Sequence, residues 1–158
     1  MIIGPDENRG LSAPWSHTDG YRIFLAGGIT NCEDWQGRAE VELDCHLRRI
    51  YNPRLSEAID FSGDGALEQI RWEFGKLKIV DAIFFWFDGG ESLQPISLFE
   101  YGSHLVGDKT LFVGAAPTYK RRYDLEVQTS LVRPQQHIHE TLEGVIQEAK
   151  NFLHFNGK

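Results

Sequence analysis

The run Ala82-Ile83-Phe84-Phe85-Trp86-Phe87 has no polar side chain at any position. Successive residues of a strand point to opposite faces of the sheet, so a strand of this composition is buried on both. That is the mark of a central parallel strand covered by helices on each side. The Gly-containing loop Asp88-Gly89-Gly90-Glu91-Ser92 follows, and then a segment that reads as helix from about Pro95 to Val106. Strand, crossing loop and helix make one unit of an α/β sheet. In such sheets ligands bind in the crevice beyond the carboxyl ends of the strands. The helix is expected to pack through Ile96, Leu98 and Phe99, which leaves Glu100 as an isolated carboxylate on a turn of apolar and small residues. Glu100 is therefore the first candidate for a reacting group.

The remaining chain repeats the alternation. Residues 1–20 are rich in Gly, Pro, Asp, Asn and Ser and read as an extended arm or short edge strand. Tyr21 to Ala26 reads as a buried strand ended by Gly27-Gly28. Asn31 or Asp34 can cap a helix that buries Trp35, Ala39, Val41, Leu43 and Leu47. Arg49 to Asn52 is a short strand broken by Pro53, and Phe61 to Gly65 a turn-rich loop. A second helix runs from about Ala66 to Ile79, with Leu67, Ile70, Phe74 and Leu77 at helical spacing as its core stripe. Thr110 to Gly114 gives another strand, and Tyr123 to Ser130 a short helix. Leu131-Val132 is expected as a brief edge strand, and Glu140 to Phe155 as a last amphipathic helix. The sum is an α/β fold with a parallel sheet of four or five strands and right-handed crossovers, residues 21–158 forming a single domain.

Composition narrows the function. The 158 residues are 41% hydrophobic and 25% charged, which are globular values. A net charge of −7 argues against a nucleic-acid polymer as partner, because phosphate binding needs a basic face. The cluster Lys120-Arg121-Arg122 is too short to reverse that. No run has the apolar length of a membrane span and no signal pattern opens the chain. Cys32 and Cys45 lack a paired spacing and read as free thiols of a reducing cytoplasm. His137 and His139 have no third ligand in view, so no metal site is expected.

Other candidates are polar groups placed near strand ends. Gly27-Gly28 lacks the rest of a dinucleotide fingerprint, and its glycines fit either a tight turn or a ligand's approach. Asp88, Glu91 and Gln94 lie on the loop leaving the apolar strand, in the layer where a sugar hydroxyl or base edge would sit. Asn52 and Arg54 flank Pro53 at the end of the preceding strand. Gln69 and Glu73 share one helical face, whose ordinary fate is solvent.

In order and spacing, Ile23 to Ile29, Trp35, Tyr51-Asn52-Pro53-Arg54, Gln69 to Glu73, Asp81 to Phe87 and Glu100-Tyr101-Gly102 resemble the nucleoside 2-deoxyribosyltransferase family, in its deoxyribosyltransferase-like branch. The resemblance covers roughly residues 21–150 and extends to Leu111 to Gly114 and Tyr119 to Arg122. It implies a flavodoxin-like three-layer sandwich without metal or organic cofactor. It implies cytoplasmic nucleotide salvage in a homo-oligomer, a dimer or larger, with sites assembled between subunits. Glu100 matches the family nucleophile, and its place near a helix start is expected to favour the charged form. Glu73 matches the second carboxylate, where many members carry Asp, and is the implied acid for the leaving base. Gln69, Asn52, Arg54, Asp88 and Gln94 would read sugar and base edges, beside Gly27, with Trp35 or Phe24 stacking on the base. Gln94 stands where members often carry Asp, and Phe24 where they carry an aromatic hydroxyl. The implied reaction is cleavage of a nucleoside's N-glycosidic bond through a covalent glycosyl-Glu, with 2-deoxyribosyl transfer to a second nucleobase. Hydrolysis is the alternative, and a non-catalytic nucleotide-derivative sensor the alternative of another class.

Overall fold

The computed structural model describes residues 2–3, 21–43, 49–54 and 64–156. The expectations for the rest of the 1–20 arm, for Cys45 and Leu47, and for the start of the 61–65 loop lie outside the described residues. In chain order the elements are β1 (Ile2–Ile3), β2 (Arg22–Gly27), α1 (Trp35–Leu43), β3 (Arg49–Tyr51), α2 (Asp64–Ile79), β4 (Ala82–Phe87), α3 (Pro95–Leu105), β5 (Thr110–Ala115), α4 (Arg122–Val132) and α5 (Leu142–Asn156).

Five strands pair in the order β1-β3-β2-β4-β5, every pair parallel. The order β3-β2-β4-β5 is the first four-fifths of a flavodoxin-like sheet, and β1 is added beyond it at the β3 edge. At the opposite edge the fifth place holds a single parallel bridge, His139 to Gly114. The His139 amide donates to Val113 O, and its carbonyl accepts from the Ala115 amide, both at 2.9 Å. Leu131 and Val132, expected as an edge strand, instead end α4. The pairing edge of β5 is taken by His139, and the apolar pair continues the helical ladder of the residues before it.

As its composition demands, β4 is buried along its whole length. Phe85 and Phe87 face Leu77, Tyr101, Leu105 and Leu125 of α2, α3 and α4. Phe84 and Trp86 face Trp35, Ala39, Val145 and Ile146 of α1 and α5. The result is a three-layer α/β sandwich. Asp34 caps α1 by accepting the Gly37 amide at 3.0 Å. At the start of the sheet Asp81 receives the Arg22 guanidinium through two bonds, at 3.0 and 3.1 Å. No described helix is long and apolar enough to cross a membrane.

The helices covering the β4–β5 half on one face break the expected pattern. On α2 only Leu77 of the four spaced apolar residues is buried; Leu67, Ile70 and Phe74 are exposed, Phe74 at 61%. The inward side of α2 carries Gln69, Trp72, Glu73 and Lys76 instead. Similarly, α3 exposes Ile96 and Phe99 and buries Ser97, Tyr101 and Leu105. Val41, expected inside α1, is exposed as well. Helical spacing identifies a stripe without saying which side faces the sheet. Here the polar stripe does, with Gln69 buried and Trp72, Glu73 and Lys76 half-buried.

Candidate active site

The parallel connections leave β2 in one direction and return to β4 from the other, so the switch point lies between the carboxyl ends of β2 and β4. Gln94 bridges it. Its Oε1 accepts the Gly28 amide at 2.9 Å, and its Nε2 donates to Asp88 O at 2.9 Å. Gln94 is buried, sits at the N-cap of α3 in the left-handed region (φ 50°), and so fixes where that helix begins. Both ends of the Gln94 amide, expected to read a substrate, are engaged by the main chain.

The glycines are required by space. A Cβ at Gly27 would lie 2.6 Å from the Trp35 ring and 2.3 Å from Trp86 O. One at Gly28 would lie 2.4 Å from Cys32 Sγ and 2.8 Å from Gln94. The Gly28 carbonyl accepts from Trp35 Nε1 at 3.0 Å and Gln36 Nε2 at 3.3 Å. Trp35 is stacked on Phe84, on the sheet face opposite the carboxylates. Phe24 lies on the carboxylate face but is 1% exposed beneath Trp72. Both rings are buried, Trp35 at 4% and Phe24 at 1% exposure.

Asn52 and Arg54 serve the loops around them. Asn52 donates to Glu40 at 2.8 Å and accepts the Arg54 amide at 2.8 Å. The Arg54 guanidinium pairs with Asp34 at 3.1 Å and donates to Gln36 Oε1 and Glu33 O. Asp88 accepts the Gly90 amide at 2.9 Å. It also lines a cleft of about 410 Å³ on the α1–α5 side, with Trp35, Trp86, Arg38, Glu140 and Glu143. The expected polar readers are thus divided between the two sides of the sheet.

Three candidates do come together. Gln69 donates to Glu73 Oε1 at 2.6 Å and to Pro53 O at 3.2 Å. Burial pushes the Glu73 carboxyl up from its ordinary value, and the Gln69 bond opposes that. On α3, burial and then the Glu73 charge push Glu100 up to about 8. The expectation that the helix start keeps Glu100 charged is corrected. Glu100 lies in the second turn of α3, past the N-terminal amides, and removal from water outweighs the dipole there. Burial together with a neighbouring carboxylate is the arrangement that raises a carboxyl's proton affinity, and such groups cluster at functional sites.

Sequence reading missed two buried polar groups nearby. Gln36 is fully buried between Gly28 and Arg54, and its place one residue after the buried Trp35 was the available signal. The indole N–H of Trp72 is buried without an acceptor among the described residues, and nothing in its spacing foretold that.

A protein-family model described as nucleoside 2-deoxyribosyltransferase like matches residues 20–119. The match runs from the residue before Tyr21 to Tyr119 and contains Glu73, Glu100 and every other candidate named above. No curated protein matches the chain.

Proposed function

The chain belongs to the nucleoside 2-deoxyribosyltransferase-like family, and from that premise we propose that it cleaves the N-glycosidic bond of a nucleoside through a covalent glycosyl-enzyme. The observation that carries this reading is the pair of largely buried carboxyls on α2 and α3, Glu73 and Glu100, the charge of the first raising the proton affinity of the second. In its ionised form Glu100 attacks the anomeric carbon through an oxocarbenium-like transition state. Glu73 supplies a proton to the departing base, a step general acids accelerate by roughly 10²–10⁴-fold. An incoming nucleobase then takes the sugar from Glu100, which completes a 2-deoxyribosyl transfer.

The same reading holds that the protein works as a dimer or larger homo-oligomer. Support comes from the apolar residues that α2 and α3 turn outward beside the crevice, Ile70, Phe74, Ile96 and Phe99. A second copy over these helices would also shield the crevice from water.

The deciding experiment incubates the protein with deoxyadenosine and a free pyrimidine base, and separately with deoxyadenosine alone. New pyrimidine nucleoside in the first reaction is the expected result. Free adenine without exchange would make the protein a hydrolase. Binding without base release from any common ribo- or deoxynucleoside would make it a sensor and overturn the enzymatic reading. A sugar adduct on Glu100, found by mass spectrometry of the quenched reaction, would establish the covalent step.

A further inference from the structure

The Gln69 amide has a single possible orientation. Pro53 O is an acceptor without hydrogens, so the group 3.2 Å from it is the NH₂. The second hydrogen of that NH₂ then points to Glu73 Oε1, 2.6 Å away. A donor this close favours the carboxylate form of its partner. No described side chain donates to Glu100, whose environment consists of burial and the Glu73 charge. Among the described residues, Glu73 acts through its charge on Glu100 of α3, and its neighbour Trp72 packs on Phe24 of β2 and Tyr51 of β3. Lys76, one turn along α2, lies over the rings of Tyr51 and Trp72, with its ammonium 5.1 and 5.9 Å from their centroids. Arg49 at the start of β3 acts on Lys76 and not on the carboxyl pair.

We propose that Gln69 is a positioning residue that fixes Glu73 as the ionised member of the pair, so that the pair's single resting proton sits on Glu100 and is the proton the leaving base receives. The proposal rests on the glycosyl-transfer reading and adds a proton path to it. The proton passes from Glu100 to Glu73, which frees the Glu100 carboxylate. The Glu100 oxygen then bonds to the anomeric carbon while the carbon–nitrogen bond breaks, and its electron pair stays on the base. Glu73 returns the proton to that nitrogen. The base leaves neutral, the enzyme keeps a glycosyl ester and an ionised Glu73, and no other acid is consumed. The raised affinity of Glu100 for a proton, up to about 8, is then what loads the relay.

The test uses the full chain with ¹³C-labelled glutamate carboxyls, assigned through Glu73→Gln and Glu100→Gln. At pH 7 the expected spectrum shows Glu73 ionised and Glu100 protonated. In Gln69→Met, similar in shape but without a donor, the Glu73 midpoint should rise by roughly one to two pH units. The pH profile of single-turnover base release should move with it. Gln69→Ala provides a second variant should the first fold poorly. A Glu73 midpoint unmoved in both variants, or a wild-type Glu73 protonated at pH 7, would overturn the proposal while leaving glycosyl transfer standing. Absence of base release in the wild type would overturn transfer, and the relay with it.

Discussion

The side chain of Gln94 accepts the Gly28 amide and donates to Asp88 O, both at 2.9 Å, tying the exits of β2 and β4 to the first turn of the helix that carries Glu100. Gln94→Ala leaves the Gly28 N–H and Asp88 O without those partners, at a cost of about 1–3 kcal/mol for the buried donor. We expect a urea midpoint lowered with unchanged slope, and base release lowered because α3 loses its anchor. Full wild-type stability in this variant would mean that Gln94 does not hold the helix.

Glu100 makes stability depend on pH in a direction opposite to that of most surface carboxylates. Its folded-state affinity for a proton corresponds to about 8, against an ordinary value of 4.5. Between these values the native chain keeps a proton that the unfolded chain has lost, so stability falls as pH rises. The contribution is fully present below the ordinary value and is lost as pH passes through the native one. Glu100→Gln removes the titration. After discounting for partial solvent access, it should be more stable than wild type by roughly 1–3 kcal/mol at pH 9. The difference should shrink toward pH 5. Parallel denaturation curves at the two pH values check this, and a constant difference would refute the burial of the carboxyl.

Much of this arrangement was legible in the residues. The unbroken apolar run of β4 could sit only in the middle of a covered sheet, while the Gly27-Gly28 exit fitted a tight turn and a ligand's approach equally well. Glu100 stood out because a carboxylate had no structural use among Leu98, Phe99 and Tyr101. What the residues could not show was facing. On α2 the stripe of Leu67, Ile70 and Phe74 and the stripe of Gln69, Glu73 and Lys76 have equal periodicity. Only the position of α3 decides which one turns inward. The roles of Asn52, Arg54 and Gln94 were hidden for a related reason. A polar side chain near a strand end serves ligand or loop equally well until its partners are known, and here the described partners are Glu40, Asp34, Gly28 and Asp88.

Division of labour between the carboxyls predicts different sensitivities to the leaving group. Glu73→Gln should lower kcat/KM for deoxyadenosine by roughly 10²–10⁴-fold, because the adenine anion leaves poorly without a proton. For a 4-nitrophenyl 2-deoxyriboside, whose leaving group needs no proton, the same variant should lose less than about tenfold. Glu100→Ala should abolish turnover of both, since no carboxylate remains to accept the sugar. Equal losses on both substrates in Glu73→Gln would deny it the acid role.

The outward apolar residues allow a direct check of the proposed assembly. Phe74 is 61% exposed and Phe99 74%, on neighbouring helices with Ile70 and Ile96 beside them. Each aromatic fully buried against a second copy would contribute roughly 1.5–3 kcal/mol. A lysine at either place would instead bring an ammonium into the contact, and two copies would place like charges near a shared axis. Sedimentation of the wild type should therefore show a dimer or larger particle. Phe74→Lys combined with Phe99→Lys should shift it to monomer, with the circular dichroism spectrum retained, since neither ring belongs to the core. Base release should fall in the variant as the crevice opens to water. A wild type that sediments as a monomer at micromolar concentration would remove the assembly, and Ile70, Phe74, Ile96 and Phe99 would then face water with no second copy to cover them.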